Sequence, residues 1–123
     1  MKNKQTGNYF EVLTAKILVS KGAHIVDQNV YGSFSEIDLI TRHQQSIFFI
    51  EIKFRSQDYF EFYEHYLTSQ YPKFKKQVMQ YLAGQPQLHD AVFQMYLFLY
   101  SKNFQKGLNL KCYKLPECEI FVR

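Results

Sequence analysis

Apolar positions follow different rhythms in successive stretches of the chain. From Gly7 to Ser20 the rhythm is helical. Phe10, Leu13, Ile17 and Leu18 fall at i, i+3, i+7 and i+8, which sets them on one stripe. Thr6 is placed to cap the start of this helix, and Gly22 to stop it. Ala23 to Asp27 reads as a first strand, and Tyr31-Gly32-Ser33 as a turn. Two β-like runs follow, Glu36 to Thr41 and Ile47 to Arg55, both rich in β-branched and aromatic residues. The polar stretch Arg42-His43-Gln44-Gln45-Ser46 between them has hairpin length. A second helical rhythm, Phe74, Val78, Tyr81 and Leu82, starts behind Pro72 and ends at Gly84 and Pro86. Asp90 to Tyr100 is almost continuously apolar, as expected of a central strand covered on both faces. Leu108 to Leu115 alternates in part and is suited to pair back on it, and Glu119 to Arg123 predicts a last short strand. The sum is a single α/β domain with a mixed sheet of about five strands, flanked by helices from two segments.

The hairpin carries the candidate chemistry. If Arg42 pairs with Ile47, then Thr41 faces Phe48, Ile40 faces Phe49, Leu39 faces Ile50 and Asp38 faces Glu51. Opposed residues share a sheet face with Cβ atoms roughly 4.5–5.5 Å apart, and like charges so placed destabilise the pair. A divalent cation between them reverses that sign. Lys53, two residues beyond Glu51, projects from the same face. Two carboxylates and an ammonium therefore converge, and a register slip of one residue would separate them.

Composition narrows the classes. With 123 residues the chain can bury one core, and 46% hydrophobic residues put it among folded proteins. No apolar run approaches the roughly 20 residues of a membrane span. The start, MKNKQTGNYFEV, lacks the apolar centre of a secretion signal, so a cytoplasmic protein is expected. Cys112 and Cys118 are too few for a disulfide framework, and the four His residues have no ligand spacing, which argues against transition-metal chemistry. A net charge of +4 suits a polyanionic partner without requiring one.

Asp followed by a strand bearing Glu-x-Lys is the pattern of the PD-(D/E)xK nuclease-like superfamily. Lys4-Gln5-Thr6-Gly7, Glu11, Ala15, Lys21-Gly22, Glu36-Ile37-Asp38-Leu39-Ile40 and Phe49 to Arg55 together resemble the bacterial YraN family. That family is nuclease-like and distantly similar to archaeal Holliday-junction resolvases. The resemblance covers about Lys4 to Ser56 well, weakens through Leu82 and is poor beyond. It implies a restriction-endonuclease-like core and Mg²⁺, replaceable by Mn²⁺, held by Asp38 and Glu51 with the backbone carbonyl of Ile52. Lys53 would position the attacking water. Spacing alone reads Glu11 as a solvated first-turn residue favoured by the helix dipole. The resemblance instead implies that it completes the metal site. Glu36 shares a face with Asp38 and is either an accessory ligand or solvated. Relatives carry Gly where Ser35 stands, Lys where Gln70 stands and a charged pair around Gln94.

Arg55, Lys73, Lys75 and Lys76 are the candidate DNA contacts, since a Lys cluster at a helix start is unfavourable without a nearby anion. Gln57 to Tyr71 interleaves aromatic residues with Glu61 and Glu64. It reads as a lid on the core or a subunit interface rather than a stacking platform for bases. The resulting expectation is a Mg²⁺-dependent endonuclease acting on DNA, with branched and single-stranded forms as candidates and a symmetric dimer suited to two-strand cutting. The rivals are a non-cleaving nucleic-acid-binding module and a protein-interaction domain built on an ion cluster.

Overall fold

The computed structural model describes residues 4–55, 61–103, 105 and 107–116. The elements run α1 (Lys4–Ser20), β1 (His24–Tyr31), β2 (Glu36–His43), β3 (Ser46–Arg55), α2 (Phe62–Ser69), α3 (Tyr71–Ala83), a 3₁₀ turn (Pro86–Leu88), β4 (Val92–Asn103) and β5 (Gly107–Lys114). The strands form one sheet in the order β1-β2-β3-β4-β5. Among the described strands only β3 and β4 run parallel; the other neighbours are antiparallel. A parallel pair needs a long crossover, and α2 and α3 supply it. This is an α/β fold of the restriction-endonuclease-like kind.

Each sheet face has its own apolar cluster. Phe10 of α1 packs with Leu39, Ile50, Ile52, Phe98 and Tyr100 on one face. Ile40, Ile47, Phe49, Leu97 and Leu99 meet Tyr66, Phe74, Val78 and Leu82 on the other. β4 contributes to both clusters, as its unbroken apolar sequence predicts. Each such side chain is worth roughly 1.5–3 kcal/mol on burial. Among the described residues, no helix is long and apolar enough to cross a membrane.

Several boundaries differ from those predicted. α1 starts at Lys4, so Thr6 lies inside its first turn rather than capping it. Beside the expected stripe on α1 lies Thr14, which that stripe did not include; it is fully buried, and its hydroxyl bonds the Phe10 carbonyl and the Tyr100 hydroxyl, each at 2.7 Å. Gly22 does end the helix. It takes φ 96°, Ala23 N–H donates to Leu18 O at 3.0 Å, and Gly22 N–H donates to Val19 O at 3.0 Å. That pair of bonds is the Schellman arrangement, which favours Gly at this position.

β1 runs on to Tyr31, past the predicted end at Asp27. A bulge between Ile25 and Asp27 resets its register, and Asn29 accommodates φ 51°. The hairpin loop is tighter than the polar stretch suggested. His43 pairs with Ser46, leaving only Gln44 and Gln45 as the loop. The aromatic stretch adds a third helix, α2, with Phe62 and Tyr66 buried and Tyr63 stacked on Tyr113 of β5 at 4.2 Å. It packs on the core, as the lid reading expected; Tyr59 and Phe60 lie outside the described residues. So does the strand predicted over Glu119 to Arg123.

Candidate functional site

The β2–β3 ladder has the predicted register. Arg42 pairs with Ile47, Thr41 with Phe48, Ile40 with Phe49 and Leu39 with Ile50. One step further the two carboxylates arrive, and the bonding changes. Asp38 Oδ2 accepts the Ile52 backbone N–H at 2.8 Å. The side chain thus takes a donor that backbone would otherwise have to satisfy. It also gives Asp38, 6% exposed, a firm position despite its buried charge.

Glu51, 9% exposed, is held from two sides. Lys53 Nζ lies 3.3 Å from Oε1, and the Tyr66 hydroxyl donates to Oε2 through a short bond. Burial and the adjacent Glu51 charge both push the Tyr66 phenol far above its ordinary pKa, so it stays protonated and remains a donor.

Glu11 and Glu36 enter from α1 and the start of β2. One carboxylate oxygen each from Glu11, Glu36 and Asp38 lie within 4.8 Å of one another. Asn29, with its side-chain amide oriented to donate, reaches Glu11 Oε2 and Glu36 Oε1 at 3.0 Å each. Three carboxylate oxygens are hard donors, a set that could hold a hard cation such as Mg²⁺ or Mn²⁺ rather than a soft metal. Glu36, which spacing left open, therefore belongs to the carboxylate group. The Asn29 contact was not foreseen, because it depends on β1 extending beyond Asp27.

Asp38, Glu36, Glu51 and Lys53 share one cleft of about 240 Å³, closed on the other side by Ser69, Gln70 and Lys73 where α2 meets α3. Gln70 thus lines the cleft at the position where the resemblance expected Lys, and exposed Lys73 supplies a cation at the same wall. The other basic candidates point elsewhere. The Arg55 guanidinium stands 4.2 Å from the Phe62 ring centroid and donates to the Phe54 carbonyl at 2.7 Å; burial lowers its pKa. Lys75 lies over Tyr71 at 5.4 Å and Lys76 over Phe34 at 5.8 Å.

The loop before Glu36 is tied to α3. Gln77 is 2% exposed, and its Oε1 accepts from Phe34 N–H at 3.0 Å and Ser35 N–H at 3.3 Å. Gln80 accepts from Ser33 N–H at 3.1 Å and donates to Ser33 Oγ at 2.9 Å. Among the described residues, positive φ at non-Gly positions is confined to Asn29 and Gln44, so Ser35 carries no such strain where the resemblance expected Gly. The signal for Gln77 was a polar residue beside Val78 on the buried row of α3.

Comparison with known proteins adds a family. A sequence model described as "Uncharacterised protein family UPF0102" matches residues 10–97. A UPF0102 protein of Vibrio parahaemolyticus is 40% identical over 57 residues, 46% of this chain and 47% of the relative. A UPF0102 protein of Dichelobacter nodosus is 40% identical over 55 residues, 45% of this chain and 44% of the relative. One from Clostridioides difficile is 39% identical over 56 residues, 46% and 49%. The chain thus spans about half the length of the curated relatives it matches.

Proposed function

The chain belongs to the uncharacterised protein family UPF0102, the YraN family, and on that footing we propose that it is a divalent-metal-dependent nuclease acting on DNA. The observation that carries this reading is the meeting of the Glu11–Glu36–Asp38 carboxylates, within 4.8 Å, with the Glu51–Lys53 pair in one cleft. Asp38, Glu11 and Glu36 would hold Mg²⁺ or Mn²⁺, rather than the set of Asp38, Glu51, the Ile52 carbonyl and Glu11 that the resemblance implied, because both Glu51 oxygens are engaged by Lys53 and Tyr66; Glu51 then completes the acidic wall. When bound, such an ion supplies Lewis-acid stabilisation of charge on the scissile phosphate. Lys53, half-buried against Glu51, orients the attacking water and balances the charge gained by the phosphate. Tyr66 holds Glu51 in place, and Lys73, which lines the opposite wall, would contact the phosphate backbone.

Cleavage of duplex, single-stranded and four-way-junction DNA in Mn²⁺ tests this. The wild type should cut at least one of them. Lys53→Ala should lose about 10²-fold or more of the rate. Equal cutting by both would mean that this cleft is not the source of the activity, and no cutting of any substrate by the wild type would leave a non-cleaving binding module.

A further inference from the structure

The turn that joins β1 to β2 carries two exposed aromatic rings at the rim of the carboxylate cleft. Tyr31 is 76% exposed, the highest value for a large hydrophobic residue among those described, and Phe34 is 46% exposed. Single exposed rings are common and need no explanation. These two are set apart by their surroundings. Tyr31 pairs with Glu36 across the β1–β2 ladder, so the two side chains share a face of the sheet. The Tyr31 phenol donates a hydrogen bond to the Glu36 carboxylate, which places its ring beside the Glu11–Glu36–Asp38 group. Phe34 immediately precedes Ser35 and Glu36, both of which line the cleft.

The backbone that bears the rings is fixed. Gly32 N–H donates to Ser35 O at 3.2 Å, and the amides of Ser33, Phe34 and Ser35 donate to Gln80 and Gln77 of α3. A turn already held in this way has little conformational entropy left to lose on binding. Beside it, α3 presents two exposed lysines on one face. Lys73 lines the cleft, and Lys76, one helical turn on, lies over the Phe34 ring with Nζ 5.8 Å from its centroid. That separation is close to the outer limit of a cation–π contact, so the long side chain can turn to a phosphate at small cost. The cations thus lead from the cleft to Phe34, which favours a polyanionic strand over an apolar protein partner. Bases in a duplex stack on one another, whereas an unpaired base offers its face to an aromatic side chain.

We propose that the turn from Tyr31 to Phe34 is a stacking site for unpaired nucleotides: one base lies on the Phe34 ring and another on the Tyr31 ring, while Lys73 and Lys76 take the phosphates. This rests on the nuclease reading of the adjacent cleft and narrows its substrate to DNA that is unpaired beside the cut. The carboxylates next to Tyr31 repel phosphate, so the backbone runs on the lysine side and the bases meet the rings.

The test is a fluorescence-anisotropy titration of the full chain with labelled oligothymidylate and with a duplex of equal length, at about 50 mM salt. The wild type should prefer the single strand by about tenfold or more. Phe34→Ala and Tyr31→Ala should each weaken the single strand about tenfold and change the duplex by less than about twofold. Phe34→Trp and Tyr31→Phe, which keep a ring, should restore single-strand binding; Tyr31→Phe also separates the ring from its bond to Glu36. Lys76→Met should weaken both DNAs and flatten the salt dependence. The affinity ratios are read in EDTA and in Ca²⁺ and require no cutting. A wild type that shows them yet cleaves no DNA upholds the stacking site and fails the nuclease reading. A wild type that binds both DNAs alike, or binds neither, overturns the proposal. So does a single-strand affinity that either alanine variant leaves unchanged, even where Mn²⁺-dependent cleavage is intact.

Discussion

Tyr66 brings a phenol into a fully buried position and spends its one proton on Glu51. Removing that hydroxyl leaves a nearly buried carboxylate with Lys53 as its remaining named partner. Tyr66→Phe should therefore destabilise the protein by about 1–3 kcal/mol, the cost of a buried acceptor losing its donor. The pH dependence has a definite sign. Burial first, and then the Glu51 charge, raise the folded-state pKa of Tyr66 above the ordinary 10.0. The folded chain keeps this proton where the unfolded chain releases it. Its contribution is complete below pH 10.0 and is lost as pH rises further. Tm measured from about pH 9 to pH 11 should fall for the wild type and fall less steeply for Tyr66→Phe; parallel curves would refute the assignment. That Asp38, Glu51 and Lys53 would line one cleft was legible in the sequence, because strand alternation fixes which face a residue takes once the hairpin is placed. The parts of Tyr66 and Asn29 were not. Their roles depend on which distant element lands opposite them, and an aromatic residue in an aromatic-rich stretch carries no mark of the carboxylate it will meet.

Elements position the site through their ends. The loop joining β1 to β2 delivers Glu36, and α3 holds that loop through Gln77 and Gln80. Gly32 permits the approach: a Cβ built there would lie 1.9 Å from Gln77 Nε2. Gln77 cannot simply swing aside, because it is buried and its amide nitrogen already donates to Gln80 Oε1 at 3.0 Å. Gly32→Ala should therefore push Gln77 off the Phe34 and Ser35 amides. Gln77→Leu should do the same by removing the acceptor, leaving two backbone donors to water. Either change should weaken Mn²⁺ binding through Glu36 by about tenfold or more while costing only about 1–2 kcal/mol of stability. Calorimetric Mn²⁺ titration beside chemical denaturation separates the two effects; stability lost with metal affinity intact would show that the strap serves the fold alone. Apolar rhythm located α1, α3, β2, β3 and β4 because each has a dry stripe or face to announce it. β1 was harder to bound. Most of its residues are exposed, and its bulge at Val26 breaks the alternation that marks a strand.

At the scale of the molecule, the carboxylate group brings together side chains from α1, β1 and β2. Glu11 belongs to α1, Glu36 and Asp38 to β2, and Asn29 on β1 touches the first two. The β1–β2 ladder and the docking of α1 must both be in place before these oxygens meet, so the unfolded chain cannot offer the same site. A ligand that binds only the folded state stabilises it by about 2.7 kcal/mol at one hundred times its dissociation constant. Mn²⁺ or Mg²⁺ should therefore raise the Tm of the wild type in a concentration-dependent way. Ca²⁺, also an oxygen-seeking ion, should do so if the cleft tolerates a larger radius. Asp38→Asn is the informative control. Its amide oxygen can still accept the Ile52 N–H, so the β2–β3 junction survives, but the charge is gone. This variant should melt near the wild type without metal, or slightly higher, since one member of a crowded acidic group has been neutralised. It should then gain little or nothing from Mn²⁺. An equal metal-induced rise in both proteins would place the ion elsewhere and remove the physical basis for Lewis-acid chemistry in this cleft.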